Sequence, residues 1–367
     1  MSVRPITDDP PIATRGIVPA PGRPGYRRLG RGSRTLLLEP RTVLVCSAVV
    51  GALVVLGVGG LLIGDYPLDP GQALRALMGT GEDRLATYFV RGQRLPRVLM
   101  ATLVGAALGV SGAIFQALSN NPLGSPDIIG FSTGSASGAL VAILLFGAGP
   151  AETALGALAG AAVTAGVVYG LAWRRGLTGA RLVLVGVGVA AALQGLNSLL
   201  VVRASLHAAQ SAAQWLAGSF NNTTWPKVLL VAAALVVLLP AAGLLGRPLG
   251  VLVLGDQLAF GLGVRVERVR TLLVIVGVAL VAVATAAAGP IAFIALAAPQ
   301  VARRLTRSSS SGLGSAALVG SAFVLAGDLI AQRLFAPTQL AVGVVTGTLG
   351  GGYLIWLLAS QWRRATR

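Results

Sequence analysis

Apolar residues in this chain run on without interruption instead of recurring at the spacing of a half-buried helix or strand. Apolar stretches cover Val43–Ile63, Val98–Leu118, Ile128–Gly147, Ala154–Trp173, Leu182–Val202, Val228–Leu245, Leu313–Leu334 and Leu340–Ala359, and only Leu313–Leu334 holds charges, Asp328 and Arg333. About 20 such residues is the length a helix needs to cross the hydrocarbon of a bilayer. The pattern predicts a polytopic, all-α membrane protein.

The interval Thr271–Val301 breaks this regularity, because it holds 31 residues without a charge. A single helix of that length would be about 46 Å long, against a hydrocarbon core of about 30 Å. Gly289-Pro290 lies inside the interval and offers a break. Arg265, Arg268 and Arg270 precede it and Arg303, Arg304 and Arg307 follow it. One span would put one of these triplets outside the cell, whereas two short spans keep both inside. Ten transmembrane helices follow, with both termini cytoplasmic. On this topology 21 of the 29 basic residues fall inside and eight outside, the asymmetry that orients membrane proteins.

Composition sharpens the class: 54% of the 367 residues are apolar and 11% are charged, where a soluble domain carries about 25% charge. A net charge of +17 in so little soluble chain is explained by loop orientation, and nucleic-acid binding is excluded. The chain divides into a disordered, arginine-rich cytoplasmic tail over 1–42, a transmembrane domain over 43–360 and a short cytoplasmic tail over 361–367. The first segment lacks the apolar core of a signal peptide, and a basic tail of this kind suits anionic membrane lipid. Cys46, the single cysteine, has no disulfide partner within the chain and reads as packing. Glycine pairs such as Gly105/Gly109, Gly156/Gly160, Gly166/Gly170 and Gly343/Gly347 predict helices in close approach.

Catalytic chemistry has no members. His207 is the only histidine and Lys227 the only lysine, so neither a histidine-based metal site or triad nor a phosphate-cradling lysine loop can be assembled. No catalytic residue, metal ligand or cofactor is expected. One acid, Asp328, falls deep in a span, and Asp127 at a loop edge. A single intramembrane carboxylate is thin equipment for ion coupling, and a local cap or pair within the bundle, a neighbouring arginine being one candidate partner, accounts for it. Five of the eight outer cations crowd into residues 75–97, against the orienting bias.

Three segments look deliberate: Arg94-Leu95-Pro96-Arg97 at the outer mouth of the second span, Asn120-Asn121-Pro122-Leu123 at its inner end, and the cytoplasmic stretch Gly246–Arg270. Glycines should break this last stretch into two short helices, which suit either a soluble partner or the membrane surface. Here the sequence resembles the FecCD-type permeases, the transmembrane subunits of ABC importers for ferric siderophores, haem and cobalamin. The likeness spans roughly 43–360 in five ordered blocks. They are RLPRVLMATLVGAALGVSGAIFQALSNNPLGSPDIIGFSTG, QWLAGSFNNTTW, LGDQLAFGLGV, GPIAFIALAAPQVARRL and QLAVGVVTGTLGGGYLIWLL.

The resemblance implies a type II ABC importer bundle in a bacterial cytoplasmic membrane. It implies a second permease chain, two cytoplasmic ATP-binding subunits and an extracytoplasmic substrate-binding protein, with ATP hydrolysed in the partner chain. Carried over by position, Arg94 and Arg97 match arginines that receive acidic residues of the binding protein. Asn121, Pro122 and Leu123 match the loop that closes the cytoplasmic end of the path. Leu254, Gly255, Asp256, Gly261, Leu262 and Gly263 match the insert that docks on the ATPase. The chain departs from the pattern in three places. Gln300 stands where a histidine is common, and Gln339-Leu340-Ala341 where Glu-Leu-Pro is common. The third outer arginine falls at Gln332, with Arg333 one position later. A ferric siderophore is the expected cargo, with haem or cobalamin as alternatives and an ion-coupled secondary transporter as the rival from another class.

Overall fold

A computed structural model describes residues 27–29, 36–64, 66–81, 83–173, 176, 178–307, 312–336 and 338–365, with side chains between 39 and 355. Most of the tail expected at 1–42 lies outside the described residues. Its described parts are two three-residue strands, β1 (Arg27–Leu29) and β2 (Leu36–Leu38), paired antiparallel, and residues 39–42, of which Pro40–Thr42 already belong to the first helix. Every described element after the two strands is helical.

The helices in chain order are α1 (Pro40–Leu62), α2 (Pro70–Met78), α3 (Arg84–Thr87), a π-helical turn at Tyr88–Arg94, α4 (Leu95–Ser119), α5 (Phe131–Phe146), α6 (Pro150–Ala172) and α7 (Gly179–Arg203). Next come α8 (Leu206–Leu216), α9 (Trp225–Leu252), α10 (Asp256–Gly261), α11 (Val266–Ala288), α12 (Ile294–Thr306), α13 (Leu313–Arg333) and α14 (Val342–Ala365). Among the described residues, seven helical stretches are long and apolar enough to cross a membrane, and α5 and the 342–355 part of α14 are shorter apolar helices. α14 continues into the segment expected as a C-terminal tail.

The long interval at 271–301 is divided where the sequence predicts. α11 stops at Ala288, and α12 starts at Ile294 after a turn through Gly289 (φ 74°) and Phe293 (φ 68°). Non-helical backbone at membrane depth must find its partners inside the protein, and here the Ala288 carbonyl accepts from the Ser219 amide at 2.7 Å. α12 ends on a second left-handed residue, Arg307 (φ 52°).

One expectation fails. The first half of the 246–270 insert is not a separate short helix but the last turns of α9, which runs unbroken through Gly246, Pro248 and Gly250 to Leu252. Leu249 and Leu252 are buried against the bundle, and that packing outweighs the local weakness of glycine and proline.

α4 is the hub of the bundle, buried along almost its whole length. A side chain at Gly105 or Gly109 would collide with the backbone of α13 at Gly320 and Ala316, and one at Gly112 with the Ala295 carbonyl of α12. Gly138 of α5 meets Gly156 and Gly160 of α6 in the same way. In lipid there is no hydrophobic drive between helices, so such backbone contact supplies association through dispersion and weak polar contacts. A Cβ added at Gly166, Gly170 or Gly347 would meet nothing within 4 Å among the described residues, so the spacing alone does not identify an interface.

Candidate functional site

Chemistry-bearing residues gather in four places. The first is the α1–α4 connection. Asp83 caps α3 by accepting from the Leu85 and Ala86 amides at 2.8 and 3.2 Å, and Tyr66 donates to its second oxygen at 3.0 Å. The Ala86 amide and then the Tyr66 hydroxyl hold this exposed carboxyl below its ordinary range, and the same bond raises the Tyr66 phenol. Tyr66 stacks on Phe89.

The π-helical turn sets the directions of the arginines that follow. Arg91 donates to the Leu77 carbonyl at 2.7 and 3.0 Å, at the end of α2. Arg94 is 8% exposed and donates to the Leu61, Leu62 and Tyr66 carbonyls, closing the end of α1. Cations at helix C-termini satisfy the last carbonyls and oppose the helix dipole.

Arg97 reaches across to α13 and grips Asp328 with two bonds of 2.8 Å. Asp328 is 1% exposed. Gln332 donates to the same carboxylate at 2.9 Å, and the Gln339 oxygen accepts from Arg97 at 3.3 Å. The local pairing expected of Asp328 is therefore the pair with Arg97. Sequence reading expected Arg94 and Arg97 to be turned toward a partner, but the structure turns both inward onto their own chain. Arg333, at the end of α13, is exposed.

The second place is the loop after α4. Asn120 ends the helix in the left-handed region (φ 47°), and the Asn121 side-chain oxygen accepts from the Leu123 amide at 2.9 Å. Asn121, Pro122 and Leu123 are exposed. Gln300 of α12 donates to the Pro122 carbonyl at 2.7 Å. Gln116 donates to the Leu296 carbonyl at 2.9 Å and accepts from Arg303. This loop is thus tied to α12 through a residue where the resemblance marked a departure.

The third place is α10. Gly255 (φ 108°) and Gly263 (φ 79°) bracket it, and a Cβ added at either would meet nothing within 4 Å. Glycine is required there for backbone conformation, not for space. Asp256 pairs with the buried Arg270 at 2.6 Å, and Glu267 stands 3.6 Å from the same guanidinium. Around this anchor Leu254, Leu258, Phe260 and Leu262 point outward, Phe260 with 78% of its surface exposed. Gly261 ends the helix and is exposed. Leu258 and Phe260 were not singled out from sequence, although an apolar pair in a polar insert was the available signal.

The fourth place was not foreseen. A cavity of ≈ 580 Å³ opens between α5, α7 and the α11–α12 turn, with Asp127, Ser132, Gln194, Asn197 and Ser198 among its lining. Asp127 accepts from Ser132. Among the described residues, no cluster of three or more histidine, cysteine or acidic side chains is placed to hold a metal ion.

A hub helix pinned by backbone contact and seven helical stretches long and apolar enough to cross a membrane fit a multi-pass membrane protein. Comparison with known proteins makes the assignment specific: the FecCD transport family matches residues 40–360, and the chain belongs to that family. It is 51% identical over 329 residues, 90% of this chain and 99% of the relative, to the ferric enterobactin transport system permease protein FepG of Escherichia coli (strain K12). The hemin transport system permease protein HmuU of Yersinia pestis is 33% identical over 88% of this chain and 97% of its own. Among solved structures, an inward-facing conformation of a metal-chelate type ABC transporter superposes with a TM-score of 0.76 at 27% identity. It covers 87% of this chain and 99% of the other.

Proposed function

We propose that this chain is the membrane permease subunit of an ABC importer that carries a ferric siderophore across a bacterial cytoplasmic membrane. The observation that carries this is likeness to a ferric enterobactin permease at 51% identity across 99% of that relative's length. The chain contributes the path and no bond chemistry. ATP is hydrolysed by a partner subunit seated on α10, where Leu254, Leu258, Phe260 and Leu262 offer apolar surface around the Asp256–Arg270 anchor.

Ten spans support the topology, counting α1, α4, α5, α6, α7, α9, α11, α12, α13 and α14, with α5 and α12 as partial crossings. Both termini are then cytoplasmic, and the Asn121–Leu123 loop closes the cytoplasmic end of a path completed by a second permease chain. An extracytoplasmic binding protein docks over the α2–α4 face. Arg94 and Arg97 set the shape of that face from beneath, and Arg333 lies at its edge. Asp328, the one acid that favoured an ion-coupled transporter, is engaged by Arg97, which leaves that rival without a feature of its own.

Uptake of radiolabelled ferric enterobactin, haemin and cobalamin by a strain lacking the chain tests the cargo. Loss confined to the ferric siderophore, restored by the gene, is expected. Loss confined to cobalamin or haemin would overturn the assignment. A cytoplasm-active reporter fused after Arg270 and after Arg307 should work at both sites, and failure at either would remove the ten-span topology.

A further inference from the structure

We propose that the junction between the start of α1 and the end of α12, flanked by α14, binds the headgroup of an anionic phospholipid through Arg41, Arg304 and Arg307. α1 and α14 both pack against α12. Arg41, in the first turn of α1, donates from Nε to the Leu305 carbonyl in the last turn of α12 at 2.8 Å. Arg307 follows α12 directly, and the Arg304 guanidinium lies 6.0 Å from the centre of the Tyr353 ring of α14. All three arginines are exposed.

Helix capping and chain orientation do not account for this cluster. One guanidinium suffices to meet a helix end, and orientation depends on how many basic residues a loop carries, not on their meeting at one point. Among the described residues, Arg41 makes that single side-chain hydrogen bond, and neither Arg41 nor Arg307 has an ion pair. Arg307 stands in a left-handed position (φ 52°) that favours glycine or asparagine at a helix end. Acids are scarce around the junction. Glu39 is the only one among residues 23–44, which hold six arginines, and none occurs between Glu267 and Asp328 or after Asp328.

The surroundings select the ligand. Leu44, one turn along α1, is 70% exposed, and Leu305, whose carbonyl takes the Arg41 bond, is 43% exposed. α1 is long and apolar enough to cross a membrane, and of its residues only Gly60 is buried. Cations at the point where such a helix enters the bilayer lie at headgroup level, where they attract anionic lipid. Guanidinium grips phosphate with paired bonds, and the acyl chains of the same lipid would cover Leu44 and Leu305. A soluble acidic partner would meet the charges and leave those leucines bare. The topology proposed above decides only which leaflet supplies the lipid; the binding and its test are independent of it and of the cargo.

The test titrates the full chain in detergent micelles with phosphatidylglycerol or phosphatidylcholine and counts bound lipids by native mass spectrometry. Phosphatidylglycerol should bind at least about tenfold more tightly, and millimolar inorganic phosphate should not displace it. Each arginine is worth about fivefold. Arg41→Gln with Arg307→Asn, asparagine being at ease in the left-handed turn, should therefore weaken phosphatidylglycerol by more than about tenfold. Arg307→Asn alone, a surface change, should weaken it about fivefold and keeps the proposal falsifiable if the pair fails to insert. Arg265→Gln with Arg268→Gln removes the same charge from exposed positions at the start of α11 and should leave binding as in the parent. Equal binding of the two lipids, displacement by phosphate, parent-like binding in the Arg307 variants, or an equal loss in the Arg265 and Arg268 pair would each overturn the proposal. So would loss of a co-purifying ATPase from Arg41→Gln with Arg307→Asn while lipid stays bound, which would assign the cluster to a soluble partner.

Discussion

Replacing Arg97 with methionine, or Asp328 with leucine, should damage the bundle far more than replacing both together. Arg97 holds Asp328 through two bonds of 2.8 Å, and the carboxylate is 1% exposed. Removing one partner leaves an uncompensated buried charge, a loss of about 3–5 kcal/mol. Removing both deletes the two desolvation penalties with the attraction, and apolar replacements of a buried pair are commonly neutral or stabilising by about 1–4 kcal/mol. Gln332 and Gln339 lose one partner each in the double variant, a cost of about 1 kcal/mol apiece at most, since both lie near the surface. The double variant should therefore be more stable than either single one. Unfolding by increasing mole fraction of SDS in mixed micelles reads the four corners of the cycle. A coupling energy of about 3 kcal/mol or more is expected. Single variants costing under about 1 kcal/mol, or costs that simply add, would refute the buried-pair account. Arg97→Lys, which keeps the charge but cannot grip bidentately, should fall between parent and Arg97→Met.

Three further outcomes follow from other contacts. Gly112→Leu should prevent purification of a monodisperse protein, because its side chain would enter the Ala295 backbone; normal size-exclusion behaviour would contradict the packing. Gln300→Ala frees the Pro122 carbonyl, so an Asn121→Cys reporter should react with a soluble maleimide several-fold faster in that background, and an unchanged rate would show that the loop is held otherwise. Asp83 has a lowered pKa, so its cap on α3 is present above the ordinary carboxylate pKa of about 3.9 and is lost as pH falls below that value through the lowered one. Hydrogen exchange at Leu85 and Ala86, compared at matched intrinsic rates, should lose protection only in that acidic window and in Asp83→Ala at every pH.

The seven long apolar helices were legible because crossing a membrane imposes a length and a scarcity of charge, and both are written locally. The Gly289-Pro290 break was legible for the same reason, since no single helix fits the uncharged interval around it. Asp328 announced a partner, because a buried acid needs one, and Arg97 lies 231 positions away. The inward turn of Arg94 was not legible. It depends on a π-helical turn at Tyr88–Arg94 and on carbonyls at the end of a helix about thirty residues earlier, and neither leaves a periodic trace. The cavity was hidden because Asp127 reads as a loop-edge acid until the loop is seen to climb beside α7. The continuation of α9 was misjudged because Leu249 and Leu252 gain their packing only in the folded bundle.

The short α12 has a mechanical consequence. At 13 residues it is about 20 Å long, and both of its flanking residues, Phe293 and Arg307, adopt left-handed backbone. One end abuts the turn that walls the cavity, and the other carries Gln300 and Arg303 to the Asn121–Leu123 loop and to Gln116. A short rod tied at both ends, and pressed near its start onto α4 where Gly112 meets the Ala295 backbone, couples the loop to the cavity wall: displacing one strains the contacts of the other.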